Sequence, residues 1–294
     1  MLVFLYSSDD LPPQDVESMY LQVLEEEQWP TPLLSTASNY TSEITGPSGV
    51  KMSGPYVWEP PNYWYLSTQQ LVPFLYGAPL GGAFGFLTLL ATIPENEQWP
   101  ISFYWDWHCG NQNGMFGNLD YFTPPLDARY GVSHSAQEYT FKSQVAAYES
   151  HRSLFEAYSR NKYEYSTGII HWMLNNAFPS HMWNLYDYYL NTGGAFYGTR
   201  KALWAMNNEP YHLHVQFSYD DYTVVLISSF KYSVSSQTFI VGARVWDLLT
   251  CHVLFQRNVT VQSNTIAPDD SIRLFSLSTV SFLFFVSFTK KYIY

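Results

Sequence analysis

The chain has 294 residues, 47% of them hydrophobic and only 13% charged, with a formal net charge of −11. That composition excludes a disordered polymer and leaves room for one large α/β domain or two ordinary domains with cores. The acidic balance argues against nucleic acid, which needs a basic patch, and suits a neutral or cationic ligand or plain solubility.

The first ten residues, MLVFLYSSDD, lack a basic start and a long apolar stretch, so no signal peptide is read there. They read as a strand over Leu2 to Tyr6 with a polar exit, and a chain that opens inside a strand is expected to be part of something longer. Pro12 and Pro13 suit a helix start, Asp15 and Glu17 suit its first turn, and Val16, Met19, Tyr20, Val23 and Leu24 recur at helical spacing. TPLLSTAS (31–38) is a second short strand, and residues 39–84 are punctuated by Gly and Pro like a long loop. GGAFGFLTLLATIP (81–94) is a third strand candidate, followed by an irregular region to 132. Ser135 and Glu138 have capping-box spacing at the start of a helix that runs to Asn161, with Phe141, Val145, Tyr148, Arg152 and Phe155 on one face. TGIIHWMLN (167–175) is a fourth strand.

Strands alternating with helices, apolar first and polar at their C-terminal ends, predict an α/β barrel whose loops form the site at that rim. Four strands do not close an eight-stranded barrel, so the other half is expected upstream of Met1. After Gly198 the pattern changes to apolar–polar alternation without helices, which predicts an antiparallel β-sandwich. The apolar run in the last 19 residues is short and rich in Ser and Thr, unlike a membrane span. Cys109 and Cys251 have no paired spacing. His212 and His214 share one strand face, where an exposed surface is expected rather than a metal pair, and no metal or cofactor motif is present.

Two long motifs are specific. GPSGVKMSGPYVWEPPNYWY and TGIIHWMLNNAFPSHMWNLYDYYLNTGGAFYGTRKA resemble the exo-β-D-glucosaminidase branch of glycoside hydrolase family 2, and SSDDLPP, GGAFGF and AYESHRSLFEAYSRN occur in matching order. The resemblance implies α/β plus all-β architecture. The second half of a (β/α)8 TIM-type barrel would fill 1–197, an immunoglobulin-like β-sandwich 198–275, and a divergent apolar tail 276–294. It implies a retaining hydrolase with two carboxyl groups that removes terminal glucosamine from chitosan-type β-1,4 oligosaccharides. No cofactor is expected. An amino-sugar oligosaccharide is the expected partner, with no nucleic acid and no membrane, and secretion is expected for full-length members. The chain would need the missing half of the barrel or a partner fragment to be complete.

Residue by residue, Asp9 in Ser7-Ser8-Asp9 falls at the general acid/base position, although Ser7 replaces the family's glycine and Asp9 could also be a loop acid before a helix. Leu89 stands where the family has its nucleophilic glutamate, and an alkyl side chain forms no glycosyl ester. Impaired turnover is therefore expected. An inactive carbohydrate-binding remnant and a structural β-sandwich module are the alternatives. Trp172 and Asn175, at the exit of the last strand, are candidates for sugar contact. Tyr56, Trp58 and Trp64 are candidates for the entrance walls or for ordinary loop packing, and Trp183 and Tyr186 are expected between barrel and sandwich.

Overall fold

The computed structural model describes residues 3–51, 57–67, 74–76, 83–110, 116–164, 166–204, 212–230, 238–247, 249–277 and 284–292. Its first part carries short parallel strands and helices. β1 (Phe4–Leu5) leads through α1 (Gln14–Glu26) to β2 (Leu33–Leu34), and the strands pair in parallel with Phe4 opposite Leu33. The helix settles on the strand through Glu17, which is buried and accepts hydrogen bonds from Tyr6 Oη at 2.6 Å and Ser42 Oγ at 2.7 Å. This polar clamp turns the expected apolar face outward, and Met19, Tyr20 and Val23 are exposed.

Residues 39–84 are not one loop. They hold a hairpin of β3 (Thr41–Ser42) and β4 (Gly46–Pro47), then β5 (Val50–Lys51), α2 (Pro61–Ser67) and β6 (Phe74–Tyr76). The 81–94 stretch is not a strand either, because it carries α3 (Phe86–Thr92). Leucine and alanine favour helix there. Leu89 and Ile93, four apart, point into the core, while Leu87 and Leu90 stay exposed. Strands of two or three residues are too short to display a period of two, which is why β5 and β6 escaped detection.

Next come α4 (Phe103–Trp107), α5 (Thr123–Tyr130), the 25-residue α6 (Ala136–Arg160) and β7 (Gly168–Ile170). β5, β6 and β7 form a parallel sheet in that order, with Leu75 opposite Ile169. The helix start is capped as expected. Ser135 Oγ accepts the Glu138 N–H at 3.2 Å, and the Glu138 carboxylate reaches back to the His134 N–H at 2.9 Å.

The packing face of α6 differs from the one its large residues suggest. Phe141 is 69% exposed, and the buried positions are mostly small: Ser143, Ala146, Ala147, Ser150, Ser153 and Ala157. Small residues let neighbours approach closely. Trp58 and Trp64 lie against them, their Nε1 atoms donating to Ala146 O at 3.1 Å and Ser150 Oγ at 3.2 Å. From the other side comes α7 (Gly194–Ala202). A Cβ on Gly198 would sit 2.3 Å from Tyr148 O, and one on Gly194 would sit 1.8 Å from Gln144 O. Gly198→Ala is therefore expected to push the two helices apart and cost about 2–3 kcal/mol of stability, by the usual scale of overpacking. Denaturant unfolding measures this, and an unchanged midpoint would show that the helices are free to separate.

The second part is antiparallel. Its strands in chain order are β8 (Leu213–Phe217), β9 (Thr223–Ser228), β10 (Thr238–Asp247), β11 (Val253–Gln262), β12 (Ser271–Ser276) and β13 (Phe284–Tyr292). They form two sheets, β12-β9-β8 and β11-β10-β13. Alternate residues Phe239, Val241, Ala243 and Val245 of one sheet meet Leu213, Val224, Leu226 and Phe275 of the other in one core. The boundary expected at 197 falls inside α7, which continues to Ala202. The tail expected from 276 is no separate segment, since β13 pairs with β10 from Phe239–Tyr292 to Asp247–Phe284.

An ionic seam joins the two parts. Arg160 of α6 donates to both oxygens of Asp220, at 2.6 and 3.0 Å. Glu156, wholly buried, meets Arg152 at 2.9 Å and His214 at 3.1 Å. Gln216 Nε2 donates to Glu156 O at 2.6 Å, and Lys162 reaches Asp269 at 2.8 Å. His214 is thus buried against an acid and not on an exposed strand face. Among the described residues, no helix is long and apolar enough to cross a membrane.

Candidate functional site

A cleft of about 550 Å³ lies where the segment after β6 meets the segment after β7 and the N-terminal half of α6. That size holds a small ligand such as a single sugar ring. Ala83 to Thr88 form one wall, Phe141, Gln144 and Tyr148 of α6 another, and Ser180, His181, Asn184, Asp187 and 191–194 a third.

Three side chains hold these walls together. Gln144 Nε2 donates to Ala83 O at 2.8 Å while its Oε1 accepts the Gly194 N–H at 2.7 Å, so one amide ties three segments. Asp187 accepts from Thr88 Oγ1, from the Asn191 backbone N–H at 2.8 Å and from Asn191 Nδ2 at 3.1 Å. His181 is buried. Its Nδ1 accepts the Phe84 N–H at 3.2 Å, so its Nε2 carries the proton and donates to Trp105 O at 3.1 Å. Burial, aided by nearby His108, pulls its pKa down to about 3. His181 is therefore a neutral brace and no acid/base at ordinary pH.

Asp187 is the one carboxylate among the described lining residues. The cleft offers one acid and several amides to a hydroxylated or cationic ring, and among the described residues no second acid of a double displacement lines it. No three His, Cys, Asp or Glu side chains gather as a metal site among the described residues. Cys109 and Cys251 are free thiols, and burial pushes Cys109 up to about 12.

The residues named from sequence are distributed differently. Asp9 follows the C-terminal end of β1 and is exposed, its Oδ1 accepting from Ser8 Oγ at 2.8 Å and its carbonyl from Ser38 Oγ at 2.5 Å. Ser7, in place of glycine, closes a turn on Asp10 O at 2.6 Å. Leu89 is wholly buried on α3 and points away from the cleft into a cluster with Trp58, Trp105 and Leu119. Trp172 is 43% exposed beyond β7, and Asn175 is exposed with its backbone bridged to Tyr186. None of Asp9, Leu89, Trp172 and Asn175 lines the cleft. Asn176, the neighbour, braces the loop by donating to Ser180 O and Met182 O at 3.1 and 3.2 Å.

Trp58 and Trp64 are not entrance walls, because both are buried against α6 with their indole N–H groups satisfied. Tyr56 lies outside the described residues. Trp183 packs edge-on to Phe116 at 5.1 Å and Tyr186 against Phe196 at 5.2 Å, ring contacts that lie within the first part. Sequence reasoning passed over Gln144, Asp187 and Asn191. Asp187 did carry a signal: it is the lone acid between Glu164 and Glu209, set among amides and rings.

No protein-family model matches the chain. The exo-β-D-glucosaminidase of Streptomyces avermitilis is 37% identical over 254 residues, 80% of this chain and 26% of that protein. That of Amycolatopsis orientalis is 34% identical over 257 residues, covering 81% of this chain and 23% of the relative. The chain thus spans about a quarter of the length of these relatives. The crystal structure of the Amycolatopsis orientalis exo-chitosanase CsxA superimposes with a TM-score of 0.83 at 28% identity, over 99% of this chain and 35% of that one. A variant of it in complex with PNP-β-D-glucosamine gives 0.84 over 99% and 34%. A β-D-mannosidase of Dictyoglomus thermophilum, 14% identical with a TM-score of 0.74 over 98% of this chain and 36% of its own, shares the fold.

Proposed function

We propose that this chain, which belongs to glycoside hydrolase family 2 through its exo-β-D-glucosaminidase branch, holds a terminal glucosamine residue in the cleft around Asp187 and turns it over poorly. The first part is the second half of a (β/α)8 barrel, and the second part is the immunoglobulin-like sandwich that follows it. In the parent reaction, chitosan-type β-1,4 chains lose glucosamine from one end by double displacement. The resemblance gives Asp9 the acid/base role in that reaction, and its place outside the cleft lining adds to the expectation of poor turnover. The nucleophile's place is taken by Leu89, whose side chain is neither acidic nor near the cleft surface.

The carrying observation is Asp187 between Thr88 and Asn191, with Asp187 and Asn191 inside the 167–202 segment that resembles the family. A carboxylate offers about four lone-pair sites, and three are used here, so one remains for the ammonium of an amino sugar. Asp187→Asn is expected to weaken glucosamine binding about tenfold while leaving N-acetylglucosamine, which has no ammonium, nearly unaffected. Calorimetric titration of both sugars checks this, and equal losses for the two would remove Asp187 from amine recognition. Hydrolysis of p-nitrophenyl β-D-glucosaminide is expected at background, and turnover on the scale of an intact enzyme would sink the impaired reading.

A further inference from the structure

The charge of this protein is divided unevenly along the chain. Of its 14 basic side chains only Lys51 precedes Arg129, whereas 14 of its 25 acidic side chains do. The segment up to Arg129 is thus strongly acidic in sequence, and the remainder is close to balance.

Within that segment, α4 exposes three large rings. Phe103 is 61% exposed, Trp107 56% and Tyr104 45%, while Trp105 between them is buried and pins the helix by donating Nε1 to Glu97 O at 3.2 Å. The Phe103 and Trp107 rings lie 5.9 Å apart. Phe178, 48% exposed, extends the ridge through His108, whose ring stacks on it at 5.4 Å and an interplanar angle of 16°. His108 meets Phe84 of the cleft edge-on at 5.6 Å, and its carbonyl accepts the His181 N–H at 2.9 Å. The ridge therefore packs directly against the residues of the cleft wall. Asp106 lies on the same helix beside Asp120, with no Lys or Arg from 52 to 128.

We propose that the Phe103–Trp107–Phe178 ridge is a polysaccharide platform that takes the glucosamine units of a cationic β-1,4 chain lying beyond the unit in the cleft. This rests on the reading of the cleft as an amino-sugar site. Flat rings offer faces to the C–H groups of successive sugars, and the ammonium groups gain from both the ring faces and the surrounding carboxylates. An exposed apolar patch in a segment that has acids but no Lys or Arg fits a polycation better than a neutral or anionic partner.

The test compares the intact chain with Phe103→Ala/Trp107→Ala and with Trp107→Tyr. Titrations use glucosamine, a glucosamine hexasaccharide and the fully N-acetylated hexasaccharide. The double variant is expected to lose about tenfold in affinity for the glucosamine hexasaccharide, with glucosamine itself unchanged and Trp107→Tyr close to the parent. The N-acetylated hexasaccharide is expected to bind the parent more weakly, and added salt to narrow the gap. An unchanged hexasaccharide affinity in the double variant overturns the platform, as does equal binding of the two hexasaccharides. Glucosamine binding that fails while the ridge variant still weakens the hexasaccharide would overturn the cleft reading and leave the platform standing.

Discussion

Leu89→Glu is expected to unfold this protein and not to arm it. If the proposed reading of this position as the family's glutamate holds, the substitution looks like a repair. The side chain, however, is wholly buried on the inner face of α3 among Trp58, Phe84, Ile93, Trp105 and Leu119, and none of these offers a polar partner to a carboxylate. An unpaired ionised acid in such a cluster costs several kcal/mol, and the protein is expected to lose more than about 3 kcal/mol of stability at neutral pH. The same apolar surroundings would raise the new carboxyl's pKa above its unfolded value. By linkage, the loss is smallest below that unfolded value and grows as pH rises through the folded one. Denaturant midpoints at pH 4 and pH 7 report it, with Leu89→Met as a volume-matched control near neutral. Hydrolysis by a fully stable Leu89→Glu protein would place this residue on the cleft surface and overturn its burial.

Arg160→Ala is expected to detach the sandwich from α6. Arg160 is 3% exposed and holds Asp220 through two hydrogen bonds, with Asp221 at 3.4 Å. Its guanidinium also lies 5.0 Å over the Tyr65 ring, and Tyr65 Oη donates to Phe217 O at 3.1 Å. Removing the cation leaves a buried carboxylate without its partner, which costs about 3–5 kcal/mol. Unfolding is expected to split into two transitions, read by comparing tryptophan fluorescence with far-ultraviolet dichroism. One coincident transition at the original midpoint would show that the seam contributes nothing. Glu156 adds a pH signature. Burial works to raise its pKa, but Arg152 and His214 outweigh burial and hold it below its ordinary 4.5. Its contribution is therefore complete above that ordinary value and is lost as pH falls through the lowered one.

The parts legible in the sequence were those with long periods or strong local chemistry. The capping box at Ser135 and Glu138 located α6 to within a residue at each end, and the alternation in 211–262 located β8 to β11. What escaped was set by tertiary partners. Which face of α6 is buried depends on Gly194 and Gly198, 50 residues away, and not on its own large residues. Leu89 reads as a strand-end residue until its helix and its core neighbours are known. Trp58 and Trp64 read equally as groove or core, and only their indole hydrogen bonds decide. Asp187 stood in the stretch most closely tied to the family, but its neighbour Thr88 is 99 positions away, and no spacing rule spans that distance.

The 25 residues of α6 serve two masters. Phe141, Gln144 and Tyr148 shape the cleft at one end, and Glu156 and Arg160 receive the sandwich at the other, roughly 20 Å further along at about 1.5 Å per residue. Anyone building a hybrid between this chain and a relative cannot cut where the second fold begins. A foreign sandwich joined after Ala202 would inherit a socket shaped for a different plug. The workable graft carries the last three turns of α6 along with the sheets they grip.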